Sequence, residues 1–305
     1  MTWFFIALIG PLLYATTNYI DKILLEKYFK QGGIGTLLLF SALLSVVSLP
    51  FLFLKDPMVF SVGIKNILTL SIVGILNVGV VWCYLLALKH DEASVVIVFY
   101  QLVPVFGGIL GYFFLGEILT SIQIIAMAII IFGTTIISFE IDSDNRFKLR
   151  KRTILPMLAA SLFWATGGVI FKFVALEENV WRSLFWENFM LMAVGIIIFI
   201  FIRSYRTNFL SALKSNSKTA LLFIGVSESL YIIGNIVVAY AYMLAPIGLV
   251  LLTESFQPIF VLAIGLFLTF FFPKIMVERI QAKHIWPKII AIVITGIGTY
   301  LLFIK

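Results

Sequence analysis

Mainly apolar stretches of about 20 residues, the length a helix needs to cross a bilayer, recur along this chain with only short polar breaks between them. Ten are drawn, at 2–20, 35–54, 65–88, 93–115, 119–139, 153–175, 182–202, 219–243, 246–272 and 286–304. Little chain remains outside them for a soluble domain. Composition agrees: 62% of the residues are hydrophobic and 12% charged, where an ordinary soluble domain carries roughly a quarter charged. A β-barrel would alternate apolar and polar residues over about ten positions, yet Ile124 to Gly133 is continuously apolar. The expectation is an all-α, multi-pass membrane protein with ten transmembrane helices.

The first span is expected to stay in the mature protein, because it lacks a basic leader and carries Asn18 and Asp21 at its far end. Cys83 is the single cysteine, so neither a disulfide framework nor a cysteine metal site can form within one chain. A net charge of +7 raises the question of nucleic acid, but the basic residues sit in short loops beside the spans, where they mark the cytoplasmic side. Seventeen of the 22 Lys and Arg fall on the loops and flanks after spans one, three, five, seven and nine. The other five are Lys55, Lys65, Lys172, Arg182 and Lys305. Both termini are therefore expected on the non-cytoplasmic side.

The chain also repeats itself. A shift of 150 residues matches Leu12, Ala15, Thr16, Ile20 and Lys22 to Leu162, Ala165, Thr166, Ile170 and Lys172. A shift of 154 matches Val96, Pro104, Phe106, Gly111 and Phe113 to Val250, Pro258, Phe260, Gly265 and Phe267, and a shift of 165 matches Ala126, Ile129, Gly133 and Thr134 to Ala291, Ile294, Gly298 and Thr299. The units drawn are 1–140 and 153–305, joined by a basic linker loop at 141–152. Five spans per unit is an odd number, so the second copy enters the membrane from the opposite side. Inverted repeats of this kind allow two halves to exchange conformations around one central site. A duplicated structural bundle is the plainer alternative.

The string VPVFGGILGYFFLGE at 103–117, followed by an apolar helix with Gly133, resembles the fourth and fifth helices of the EamA branch of the drug/metabolite transporter superfamily. The matching positions are Pro104, Phe106, Gly107, Gly108, Gly111, Gly116 and Glu117. The second copy keeps Pro258, Phe260 and Gly265 but has Phe270 and Phe271 where the Gly-Glu ending would fall. The resemblance implies a five-plus-five helical transporter fold and leaves the substrate open.

Proline removes a backbone hydrogen bond, so Pro104 and Pro258 are expected to free the carbonyls of Tyr100 and Glu254 at helix kinks. Polar side chains gather there: Tyr100 and Gln101 before one proline, Glu254, Ser255 and Gln257 around the other. Ionisable groups inside spans are costly, which makes Glu254, Glu228 and Glu187 candidates for substrate binding or coupling. Glu187 is close enough to a span end to reach the interface instead. Tyr231, Asn235 and Tyr242 share a helical face with Glu228. In the first span Tyr14, Asn18 and Asp21 recur at helical spacing, and Trp164 matches Tyr14; these aromatics fit packing as well as ligand walls. Lys172 could meet an anion, although its place near a helix end favours snorkelling.

No P-loop, H-E-x-x-H or G-x-S-x-G occurs, so an enzyme or a self-contained ATP-driven pump is not expected. The expected function is secondary active transport by alternating access of a small polar or cationic metabolite, such as an amine or amino acid. A deep carboxylate can pair with a cationic solute, helped by cation–π contacts, or cycle a proton for coupling. The alternative is a channel, or a lipid-handling or assembly protein, on the same bundle. No metal or other cofactor is expected. The partners expected are the solute and membrane lipids, with no nucleic acid, for a monomer or homodimer in a bacterial cytoplasmic (inner) membrane.

Overall fold

In the computed structural model the residues described are 2–29, 33–115, 120–137, 139–141, 147–215, 218–245, 250–251, 253–273 and 282–302. The Gly116–Glu117 ending of the motif and the basic residues Lys30, Arg146, Lys274, Arg279 and Lys305 lie outside them, and the side chains of Ser255, Lys148 and Lys283 are likewise not described. The helices are α1 (Thr2–Ile23), α2 (Gly33–Leu44), α3 (Leu49–Lys55), α4 (Ile64–His90), α5 (Ala93–Val96), α6 (Leu102–Leu115), α7 (Ser121–Ile137), α8 (Lys151–Glu177), α9 (Val180–Phe201), α10 (Arg203–Ser215), α11 (Lys218–Leu244), α12 (Gln257–Phe271) and α13 (Ala282–Leu302). Among the described residues, eight helical stretches are long and apolar enough to cross a membrane. Two shorter apolar helices, Ile124–Ile136 and Gln257–Phe271, accompany them.

Three 3-10 turns interrupt the spans, and each precedes a proline. Ser45–Ser48 comes before Pro50, Ile97–Gln101 before Pro104, and Glu254–Phe256 before Pro258. A proline ring clashes with the carbonyl four residues back, so the preceding turn tightens and bonds at i→i+3 instead. This corrects the expectation of a freed carbonyl: the Glu254 carbonyl accepts the Gln257 N–H. The prolines thus begin α6 and α12 rather than kink a continuous helix.

Two further departures concern the loops. Residues 139–141 and 147–149, expected as a helix end and linker, form two short strands, β1 (Phe139–Ile141) pairing antiparallel with β2 (Phe147–Leu149). Between the spans α9 and α11, where a loop was expected, α10 is amphipathic. It buries Phe209 and Ala212, with Phe209 against Phe40 at 4.5 Å between ring centroids, and carries Arg203, Arg206 and Lys214. A span search misses it because its hydrophobic residues recur at helical spacing rather than in a run.

Packing pairs the helices across the middle of the chain. α1 lies along α11 and α4 along α8; α1 also meets α12 as α6 meets α8; α2 meets α9, and α7 lies along α13. At the α7–α13 crossing, a Cβ on Gly133 would stand 2.6 Å from Thr295 Cγ2, and one on Gly298 would stand 2.7 Å from Ile130 Cγ1 and 2.9 Å from the Ala126 carbonyl. These repeat-matched glycines are what lets the two backbones approach.

The matched lysines do equivalent work. Lys22 is buried and donates to the carbonyls of Leu88 (2.7 Å) and Asp91 (2.6 Å) at the end of α4; Lys172 donates to the Ala245 carbonyl (3.1 Å) just past the end of α11. Both charges meet the negative ends of helix dipoles. Lys22 is therefore a helix-end anchor, not the loop charge expected from sequence. The same end of the bundle holds the ion pairs Arg150–Asp91 and Lys288–Glu92. The opposite end is laced by Arg182 to Asp56 (2.7 Å), Asn66 to Glu178 (2.8 Å) and the Trp186 indole N–H to the Val59 carbonyl (2.7 Å). Burial opposes the Asp56 charge, but the Arg182 hydrogen bond, the Met58 amide and the Arg182 charge outweigh it and hold the carboxyl below its usual range. The pair therefore persists at neutral pH and is lost only as pH falls through that lowered value.

Gly298→Leu should force α7 and α13 apart and destabilise the fold by about 1–3 kcal/mol. A melting curve in mild detergent should fall by several degrees, while Gly296→Leu, at a position with open space around it, should leave it nearly unchanged.

Candidate functional site

A cavity of about 90 Å³ lies between the helices. α1 contributes Tyr14, Thr17, Asn18 and Asp21; α2 gives Ser41; α4 gives Asn77, Val80, Val81 and Tyr84. Tyr100 comes from the turn before α6, Trp164 from α8 and Gln257 from α12, while α11 supplies Ser227, Glu228, Tyr231, Asn235, Val238 and Tyr242. Both halves of the chain therefore build its wall. No lysine or arginine is among these residues.

The polar groups form a connected set. Gln257 Nε2 donates to Asn18 Oδ1 (2.8 Å), Asn18 Nδ2 to Tyr84 Oη (2.9 Å), and the Tyr84 hydroxyl to Asp21 Oδ2 (3.3 Å). Asp21 Oδ1 also accepts from Ser227 (3.0 Å), and Glu228 Oε2 accepts from Ser41 (3.0 Å). Opposite them the rings of Tyr84, Tyr100, Trp164, Tyr14 and Tyr231 follow one another at centroid distances of 6.3, 4.8, 5.8 and 5.6 Å. The repeat-matched Tyr14 and Trp164 thus meet edge to face at the centre.

Seven of the ten residues expected from sequence line the cavity: Asn18, Tyr100, Trp164, Glu228, Tyr231, Asn235 and Gln257. Glu187 does not reach an interface; it is buried and accepts from Asn77 Nδ2 at 2.6 Å, directly behind the wall. Glu254 is 2% exposed, and neither carboxylate oxygen has a hydrogen-bond partner among the described residues. A Cβ on Gly10 would stand 3.8 Å from both Glu254 Oε1 and the Gly234 carbonyl, which places this carboxylate between α1 and α11 beside Tyr14 and Val238. Gln101 lies elsewhere: it is buried toward α13, where Thr299 Oγ1 approaches its Oε1 at 3.4 Å. Pro104 and Pro258 start α6 and α12 and are not on the wall.

Sequence reasoning missed Thr17, Ser41, Ser227 and the α4 face. The last was findable: Asn77, Val80, Val81 and Tyr84 follow i, i+3, i+4, i+7, a single stripe with a polar residue at each end. Ser41 and Ser227 carried no signal, since single serines are ordinary in membrane helices.

A polytopic bundle of apolar helices around a polar, carboxylate-bearing cavity is the architecture of an integral membrane protein. Residues 1–139 match the model of the EamA-like transporter family. A solved crystal structure that is 14% identical covers 99% of this chain and 96% of its own, with a TM-score of 0.59, a likeness of fold. No curated protein matches the chain.

Asn77→Ala should remove one of the two amide donors to the buried Glu187 carboxylate, Asn235 being the other, and cost about 1–2 kcal/mol, the worth of one hydrogen bond to a carboxylate. Asn77→Leu with Glu187→Leu removes both partners, so the double variant should melt higher than Asn77→Ala in the same detergent.

Proposed function

We propose that the protein is a secondary active carrier that moves a small polar or cationic metabolite, such as an amine, by alternating access. The observation that carries this reading is the cavity itself: Asp21 and Glu228 face it, and among the described residues Glu254 lies beside it with no hydrogen-bond partner and no basic side chain lines it. Carboxylates in a membrane interior cost a few kcal/mol even on lenient scales, so a cation arriving there recovers energy that the protein's own side chains leave unrecovered. A proton cycled on one of these groups would couple solute movement to a gradient.

The pattern of helix packing supports a plan of ten spans in two inverted five-helix repeats, 1–140 and 153–305. Exchanging the halves turns the α1–α11 pair into the α8–α4 pair, the α1–α12 pair into the α8–α6 pair, and maps α2–α9 and α7–α13 onto themselves. The largest departure from the exchange is that α4 packs closely along α9, whereas its counterpart α2 touches α11 only slightly. Trading those two packings would open the end now laced by Arg182 and Asp56 and close the end near Glu228. A closed end also disfavours the channel alternative.

The excess of basic residues on one set of loops supports an orientation with both termini outside the cytoplasm, in the proposed setting of a bacterial cytoplasmic membrane. Reporter fusions at either end should read as non-cytoplasmic, and an active cytoplasmic reporter at the C-terminus would reverse the orientation.

Glu254→Gln keeps the shape and deletes the charge. Counterflow in proteoliposomes, with a solute chosen by thermal-shift screening, should fall at least tenfold, while the melting temperature holds because a lone buried charge adds little net stability. If Glu254 holds a cationic solute, binding weakens too; if it carries the proton, binding persists and the pH dependence of flux disappears. Normal, pH-dependent flux would remove Glu254 from the mechanism.

A further inference from the structure

The acceptors in and beside the cavity are divided into two groups. At one level Asp21 and Glu228 converge, each already held by neutral donors: Ser227 and Tyr84 on Asp21, Ser41 on Glu228. At the other level three buried acceptor atoms, Gln257 Oε1 and both oxygens of Glu254, have no donor among the described residues, and the two side chains are 1% and 2% exposed. The faces of Tyr14, Trp164 and Tyr231 lie along the space between.

The separation of the groups follows from the helices that carry them. Gln257 is hydrogen-bonded to Asn18, and Glu254 lies near Gly10, so α12 with its preceding turn runs parallel to α1. Asp21 is three residues beyond Asn18, and Glu254 is three residues before Gln257. At a rise of ~1.5–2 Å per residue the two levels are about 10 Å apart. Measured along α1 from Gly10 to Asp21 the interval is about 16 Å. An ammonium sits about 2.8 Å from a carboxylate oxygen at each end, leaving about 5–10 Å between two cationic centres.

We infer that the site is built for a linear dication, an α,ω-diamine with four or five carbons, held with one ammonium between Asp21 and Glu228 and the other at Gln257 and Glu254. The inference rests on the cationic reading above and narrows it. The diamine's methylene chain would lie against the aromatic faces, which also attract the ammonium groups. A monoamine would satisfy one level and leave the other's negative charge unanswered. An amino acid would bring its own carboxylate against one of the two.

The test is the melting temperature of the purified full-length protein in an uncharged detergent, titrated with butane-1,4-diamine, pentane-1,5-diamine, butylamine and 4-aminobutanoate. Ligand that binds the folded state raises the melting temperature with affinity and concentration. The diamines should act at concentrations at least tenfold below butylamine, and 4-aminobutanoate should be weakest. Glu228→Gln and Asp21→Asn should reduce the diamine response to the butylamine level and leave the butylamine response in place. Glu228→Asp, which keeps the charge, should retain the diamine advantage and guards against reading a folding defect as lost binding. Equal responses to butylamine and the diamines would overturn the dication inference while leaving a cationic solute. No response to any amine would overturn the cationic reading as well, and a diamine advantage surviving both charge-removing variants would overturn the assignment to Asp21 and Glu228.

Discussion

Carboxyl groups held inside an apolar bundle are the constraint on which the structure turns. Asp21, Glu187, Glu228 and Glu254 all stand within helices that are otherwise built to face lipid or pack on one another. A membrane helix has no water to supply the missing solvation, so each carboxylate needs a local answer. Three of them are answered by hydroxyls and amides: Ser227 and Tyr84, Asn77, Ser41. These donors satisfy the oxygens without bringing a positive charge to them. Glu254 lacks even that among the described residues. Cations are present in the protein but are kept at the ends of the bundle, where Lys22, Arg150, Lys288 and Arg182 have partners of their own.

That separation explains the shape of the bundle. α1 touches α11 and α12 of the other half, and α8 touches α4 and α6 in return, so the central helices of each half are built into the other. The cavity lies where these four-way contacts meet. Tyr14 and Trp164, matched in sequence, are also matched in place, ring against ring at 5.8 Å. The glycines of α7 and α13 hold a separate crossing at the edge, with its own small cluster of Val105, Ala126, Met127 and Ile130.

Much of this was legible in the residues because membrane physics writes in long apolar runs. The stripe Glu228, Tyr231, Asn235 and Tyr242 could be placed on one face from spacing alone, and all four line the cavity. Where the reading failed, the decisive information was tertiary. Lys22 looked like a loop charge because nothing local reveals that the α4 carbonyls lie within reach. Glu187 looked near enough to the surface to escape, yet Asn77, 110 residues away, holds it inside. α10 was hidden by its polarity, and Gln101 by its neighbour: it adjoins Tyr100 in sequence but, around a tight turn, points toward α13 instead.

Whether the two halves exchange packings around the cavity is the point on which the functional reading stands. Val81 lines the cavity without taking part in the hydrogen bonds described above, so Val81→Cys in a Cys83→Ser background reports access without removing a polar group. A membrane-impermeant thiol reagent applied separately to each face of oriented proteoliposomes measures it directly. Alternating access predicts labelling from both faces, with a saturating bound solute suppressing both. Labelling confined to one face under every condition, with or without solute, would contradict it.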